Sequence, residues 1–170
     1  DKIQIKMTLE VKISDKLVSY KTAFSFLRKR VDLIKNSNGK ELVWILEHPL
    51  TFTSGIRSNE NEILDKNIKI IKTNRGGKIT LHNPGQKIVY FVLNLNKRKK
   101  DIRNLIKQIE IIIIKFLKLY KIKSYADKEN IGIWVGDKKI AAIGIRVSNW
   151  VAYHGFSINI SNDLEHYKKI

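Results

Sequence analysis

The sequence predicts one α+β domain built on a mixed β-sheet, and three observations carry that expectation. Apolar residues alternate at a period of two in several short runs. One long segment carries them instead at steps of three and four. Strands and helices then follow one another without the strict βαβ alternation of a doubly wound fold. With 170 residues, 43% of them hydrophobic, the chain suits a single domain over 1–170 that buries about 70% of its unfolded surface. No repeat of 20–50 residues and no Ser/Gly/Pro linker divides it.

Ile3, Ile5, Met7, Leu9, Val11 and Ile13 alternate with polar residues and read as a half-buried first strand. Ser14 or Asp15 can cap a helix running to about Lys35, with Val18, Thr22, Phe26 and Leu33 turned inward. Asn36, Ser37, Asn38 and Gly39 tolerate left-handed backbone and end it. Residues 42–46 form a buried strand, Pro49 disfavours continuing the ladder, and a loop with a short acidic helix near 59–64 follows. Residues 68–72 read as a strand, Arg75-Gly76-Gly77 as a tight turn and 78–81 as the returning strand. Asn83-Pro84-Gly85 turns the chain into a long strand over 87–95.

Asp101 caps the strongest helix, whose Ile102, Leu105, Ile106, Ile109, Ile112, Ile113, Phe116, Leu117 and Tyr120 make a stripe expected to be core. Beyond it, 131–135, the turn Gly136-Asp137 and 138–147 form a hairpin, and 151–160 adds a further strand.

Composition removes several function classes. With no cysteine among the 170 residues there is no disulfide framework, thiolate zinc site, iron–sulfur cluster or cysteine nucleophile within them. His48, His82, His154 and His166 share no i,i+3 or i,i+4 spacing and have no acidic cluster beside them, so neither a metal nor another cofactor is expected. No apolar run approaches the ~18 residues that span a bilayer, and the start at Asp1 shows no secretory leader; the expectation is a cytoplasmic protein without a membrane partner.

The 33 Lys+Arg against 16 Asp+Glu give a net charge of +17. That raises nucleic acid, but no nucleic-acid module is legible, and the clusters Arg28-Lys29-Arg30 and Lys97-Arg98-Lys99-Lys100 lack interleaved aromatics. A solvated basic face and a surface that steers acidic protein partners are the other readings.

Four segments are richer in Gly, His and polar residues than a sheet needs: 75–82 (RGGKITLH), 83–86 (NPGQ), 138–146 (KKIAAIGIR) and 154–159 (HGFSIN). Gly76 and Gly77 permit close backbone approach beside the cation of Arg75 and the imidazole of His82; this is either an oxygen-binding turn or ordinary punctuation. Lys139 enters a small apolar stretch. It is either desolvated, which lowers an amine's pKa and suits it to proton transfer, or a strand-end lysine reaching solvent. Strand alternation sends Lys138 to the opposite face. Ala141, Ala142 and Gly144 leave room for an adjacent helix or a ligand tail.

In this order, RGGKITLHNPGQ and GIWVGDKKIAAIGIRVSNWVAYHGFSINISNDL resemble the lipoyl(octanoyl) transferase family, over a span from about Trp44 to the last residue. Lipoate–protein ligases share the fold but are expected to carry a longer glycine run followed by His-Asp, and biotin ligases a different Arg/Gly motif. The resemblance implies a biotin/lipoyl protein ligase-like catalytic domain, a mixed β-sheet with flanking helices and a tunnel for an eight-carbon acyl chain. It implies substrate contacts from Arg75, Gly76, Gly77, Lys78, Ile79, Thr80, Leu81 and His82, from Ala142, Ile143 and Gly144, and from Gly155, Phe156 and Ser157. Lys139 matches the family's catalytic lysine.

The implied reaction moves octanoyl from octanoyl-acyl carrier protein, through a cysteine thioester, to a lysine of the lipoyl domains of 2-oxoacid dehydrogenase and glycine cleavage proteins. The family's cysteine sits in a Pro-Cys-Gly element just beyond the stretch matched by 163–170, so the expectation is that the nucleophile follows Ile170. The alternative is a non-catalytic truncated relative that binds acyl groups or acidic domains.

Overall fold

The computed structural model describes residues 9–37 and 39–170. The first strand, β1 (Leu9–Ile13), leads to α1 (Tyr20–Lys35), β2 (Glu41–Leu46) and β3 (Thr51–Ser54). Then come β4 (Ile70–Lys72), β5 (Ile79–His82), β6 (Gln86–Asn94) and α2 (Ile102–Leu119). The chain closes with β7 (Tyr125–Ala126), β8 (Ile133–Val135), β9 (Lys138–Ser148) and β10 (Val151–Asn159). A seven-stranded mixed sheet has the order β1-β2-β6-β10-β9-β8-β7, and a three-stranded sheet the order β4-β3-β5. Among the described residues no helix is long and apolar enough to cross a membrane.

The large sheet is covered on both faces because β6 is apolar at successive positions, a pattern that buries both sides. Ile88, Tyr90 and Val92 pack with Ala23, Leu27, Val31 and Ile34 of α1, while Phe91 packs with Ile109, Ile113 and Leu117 of α2. The outcome is the α+β architecture expected, with helices flanking a mixed sheet.

Several local expectations are corrected. Ile3, Ile5 and Met7 lie outside the described residues. Leu9, Val11 and Ile13 are 50, 61 and 66% exposed rather than half-buried, since Glu10 and Lys12 hold the side facing α1 through Arg30, Phe26 and Trp44. The cap of α1 is Ser19, whose side chain accepts from the Thr22 N–H; Val18 and Phe26 pack against the core as expected, but the buried face is centred on Ala23 and Leu27, and Thr22 and Leu33 lie outside. On α2 only Ile109, Ile113 and Leu117 are buried, while Ile112, Phe116 and Tyr120 face outward, because β7 and β8 are too short to cover the whole stripe.

Residues 78–81 do not return beside 68–72 either. β3, which follows Pro49 and has only four residues, inserts between β4 and β5, parallel to the first and antiparallel to the second.

The basic clusters are partly structural. Arg98 pairs with buried Glu41, whose carboxylate also accepts from the Asn94 N–H at 2.6 Å, and Arg30 pairs with Glu10 at 2.8 Å.

Candidate active site

The small sheet presents the Arg75–Gly77 turn to the middle of β9. Gly77 takes a φ of 91°, a backbone that glycine adopts without strain, and Gly76 N–H donates to the Ile145 carbonyl at 3.3 Å. On β9 and β10, Ala142 pairs with Ser157, Ile143 with Phe156 and Gly144 with Gly155. A Cβ at Gly144 would stand 3.1 Å from the Gly76 carbonyl oxygen. Gly76, Gly144 and Gly155 thus lie along one wall of a cavity of about 610 Å³ between the two sheets, with Gly77 beside them.

Lys139 and the substrate contacts that the resemblance implied all line this cavity except Leu81, whose fully buried side chain belongs to the core; Ala141 packs in the core beside α2, and the segment 83–86 does not reach the lining. Arg75 is buried, and its guanidinium donates to the carbonyl and hydroxyl of Thr53 at 2.9 Å each and to the Gly76 carbonyl at 3.0 Å. Burial pulls its pKa down, with the nearby hydroxyls of Tyr20 and Tyr90 opposing the shift. Lys78, at the rim, pairs with Glu62 at 2.6 Å.

Lys139 stands at the cavity lip. Its Nζ donates to the Ile131 carbonyl at 3.1 Å and lies 4.9 Å from the centre of the Trp134 ring. Gly132 makes this possible, since a Cβ there would touch the lysine stem at 3.1 Å. The ammonium is exposed on its outer side, yet the protein packed around it lowers its pKa, against a smaller raising effect of Asp127. Lys138 lines the same lip rather than an opposite face: at the end of a strand both long stems reach the mouth, and alternation no longer separates them.

What sequence reasoning missed is the cavity floor. His82, which the motif named, and His154 line it with Tyr20 and Tyr90, while His48 and Phe24 pack against those rings from behind. The ring centres of His48 and His82 are 5.5 Å apart, those of Tyr20 and His82 6.1 Å, and those of Phe24 and His154 5.6 Å. His154 has a φ of 69°, and its ring stacks on that of its own neighbour Tyr153 at 4.9 Å, a departure from strand alternation that no pattern in YHGF announces. Burial, with Arg75 and Arg146 nearby, holds His154 at about 3; burial and the neighbouring His48 hold His82 at about 3. Tyr20 brings a buried hydroxyl without a hydrogen-bond partner among the described residues. Leu164 and Tyr167, from the C-terminal segment, complete the lining, and Lys169 O ties that segment down by accepting from the N–H groups of Leu64 and Asp65.

The mixed sheet with flanking helices and a small second sheet shares the fold of solved lipoate protein ligases. The sequence model described as the lipoyl protein ligase A/B catalytic domain matches residues 19–170, and the chain belongs to that family, alongside its octanoyltransferases. The Octanoyltransferase of Wolbachia sp. subsp. Brugia malayi is 44% identical over 163 residues, covering 93% of this chain and 80% of that protein. The Octanoyltransferase of Anaplasma phagocytophilum is 44% identical over 170 residues, covering 96% of this chain and 82% of its own. Protein Ta0514 of T. acidophilum, solved with bound lipoic acid, shares the fold with a TM-score of 0.76 at 14% identity, over 96% of this chain and 73% of that one.

Proposed function

We propose that this chain is the catalytic domain of an octanoyltransferase that carries octanoyl from octanoyl-acyl carrier protein to a lysine of lipoyl domains, through a thioester on a cysteine outside the 170 residues. The observation that carries the reading is the wall formed by Gly76, Gly144 and Gly155. Beside it lies a slot whose other walls include the apolar side chains of Ile79, Ile143 and Phe156, suited to an unbranched acyl chain, with Lys139 at its lip.

In the first half-reaction a thiolate attacks the carrier thioester carbonyl; a new C–S bond forms, and the carrier thiolate departs and takes up a proton. In the second, the neutral ε-amine of a lipoyl-domain lysine attacks the acyl-enzyme, an amide forms, and the cysteine thiolate is released. The Lys139 ammonium favours the thiolate electrostatically, and its lowered pKa suits it to moving the protons that each step displaces. The Gly76 N–H is already engaged by Ile145, so the Gly77 N–H, with no acceptor among the described residues, is the donor assigned to the oxyanion. The basic surface steers acidic partner domains to the cavity.

The test is labelling of the full-length protein with octanoyl-carrier protein. One cysteine should become acylated and then lose its acyl group to added lipoyl domain, and Lys139→Ala should slow acylation by at least about tenfold. Absence of acylation in the wild-type protein would overturn the transferase reading, and undiminished acylation of the variant would remove Lys139 from the mechanism.

A further inference from the structure

We propose that Gln86 is a positioning residue that fixes His82 as the Nδ1-protonated, neutral imidazole, so that His82 offers the cavity a lone pair on Nε2 and not a proton. The argument is one of donors and acceptors. Gln86, the first residue of β6, is 1% exposed. Its side-chain nitrogen lies 3.2 Å from the Leu81 carbonyl oxygen, 2.8 Å from Asn159 Oδ1 and 3.3 Å from the Tyr167 hydroxyl. A backbone carbonyl can only accept, so the amide group of Gln86 must face Leu81 with its NH2. Its oxygen is thereby turned to His82 Nδ1, 2.7 Å away. An amide oxygen also only accepts, so Nδ1 carries the hydrogen. A neutral ring holds one, which leaves Nε2 bare, and Nε2 has no hydrogen-bond partner among the described residues.

The neighbours reinforce neutrality. The groups that bear on His82 are Arg75, His48 and His154, each cationic or neutral, with the neutral ring of Tyr20 stacked beside it and no carboxylate among them. The same reasoning orders the next pair. Val18 O accepts from His48 Nδ1 at 2.6 Å, so His48 Nε2 accepts from the Tyr90 hydroxyl at 2.8 Å, and the hydrogen of Tyr90 is spent there. The floor thus shows the cavity two acceptors, His82 Nε2 and Tyr90 Oη.

A bare Nε2 cannot stabilise an oxyanion. It serves a group that arrives with a proton, and on the octanoyl-transfer reading above, on which this part of the inference rests, those groups are the thiol that becomes acylated and the ammonium of the acceptor lysine. Gln86 also touches Tyr167, so it joins His82 to the C-terminal segment that completes the cavity.

The experiment uses the full-length protein labelled with ¹⁵N-histidine, with the His82 signals assigned by their loss in His82→Gln. At pH 7 the wild-type protein should show a pyrrole-type Nδ1 and a pyridine-type Nε2. Gln86→Met removes the acceptor and should shift His82 to the Nε2-protonated form while lowering kcat for acyl transfer by at least about tenfold. A wild-type His82 that is charged or protonated on Nε2 overturns the proposal. So does a Gln86→Met protein that keeps the Nδ1 hydrogen, or one that changes tautomer with kcat intact. Should Gln86→Met fail to fold, the wild-type spectrum alone still decides the tautomer. The spectrum requires no turnover, so the expected tautomer in a protein without octanoyl transfer would refute the proposed function and leave the role of Gln86 standing.

Discussion

The Gly76 N–H and the Ile145 carbonyl, 3.3 Å apart, join the small sheet to the middle of β9 by backbone alone. The contact is tolerated because Gly144, next to Ile145, has no side chain: a Cβ there would lie 3.1 Å from the Gly76 oxygen and 3.4 Å from Arg75 Cδ. The closeness of the two sheets, and with it the width of the cavity, is set by an absent methyl group.

Gly144→Ala therefore pushes the Arg75–Gly77 turn outward by a few tenths of an ångström. We expect a cost of about 1–2 kcal/mol in stability and a disproportionate loss of acyl transfer, at least about tenfold. Urea unfolding and steady-state kinetics on the same preparation separate the two, and unchanged kinetics would count against the slot.

Gly155→Ala is a different case. Its Cβ would fall 2.0 Å from the Val89 carbonyl oxygen, between two central strands that cannot part. A loss of about 3 kcal/mol or more is expected, visible as a large drop in the denaturant midpoint.

Stability should depend on pH through the floor histidines. His82 and His154 are held near 3 against an ordinary 6.5, so the unfolded chain takes up protons at a pH where the folded chain does not. Their contribution is complete above about 6.5 and is lost as the pH falls from there towards 3, by up to about 1.4 kcal/mol per pH unit for each. Urea unfolding between pH 7.5 and 5 should show this decline, and a flat profile would contradict the buried neutral rings.

Arg98→Met strands the carboxylate of Glu41. Burial pushes that carboxyl up, while the hydrogen bonds from Arg98 and from the Asn94 N–H outweigh burial and leave it below the usual range. A loss of about 3 kcal/mol is expected, at the low end for breaking a buried ion pair because the arginine itself is partly exposed. Adding Glu41→Gln to the variant should recover part of it, which a double-mutant cycle measures.

Legibility followed sequence distance. The strand at 87–95, the helix capped by Asp101 and the hairpin at Gly136-Asp137 are specified by neighbours within one or two turns of chain, and they stand within a residue or two of where the pattern puts them. β3 escaped because Thr51–Ser54 is short, mostly polar and preceded by proline, and its pairing with residues about twenty and thirty positions on leaves no local trace. The inward face expected of α1 was read in part: Val18 and Phe26 do pack against the core, but its centre runs through Ala23, Leu27, Val31 and Ile34, one residue and so about 100° round from Thr22 and Leu33. At the site, the glycine-rich turn and the lysine were visible as motifs. Of the polar floor His82 was visible in its motif, but its grouping with His48 and His154 was not, since the three meet only once β5, β10 and the segment after β2 have been placed.

The strand order also dictates when this protein can come into being during synthesis. β10 lies between β6 and β9, yet it is made more than fifty residues after β6 has left the ribosome. Until Val151–Asn159 emerge, the edge of β6 is an unpaired apolar ladder with nothing to close it. β1, β2 and β6 can pair as soon as they are made, but their union with β9, β8 and β7 waits for β10, so the sheet closes late and by slow, non-local pairing in a way that a fold built from successive hairpins does not.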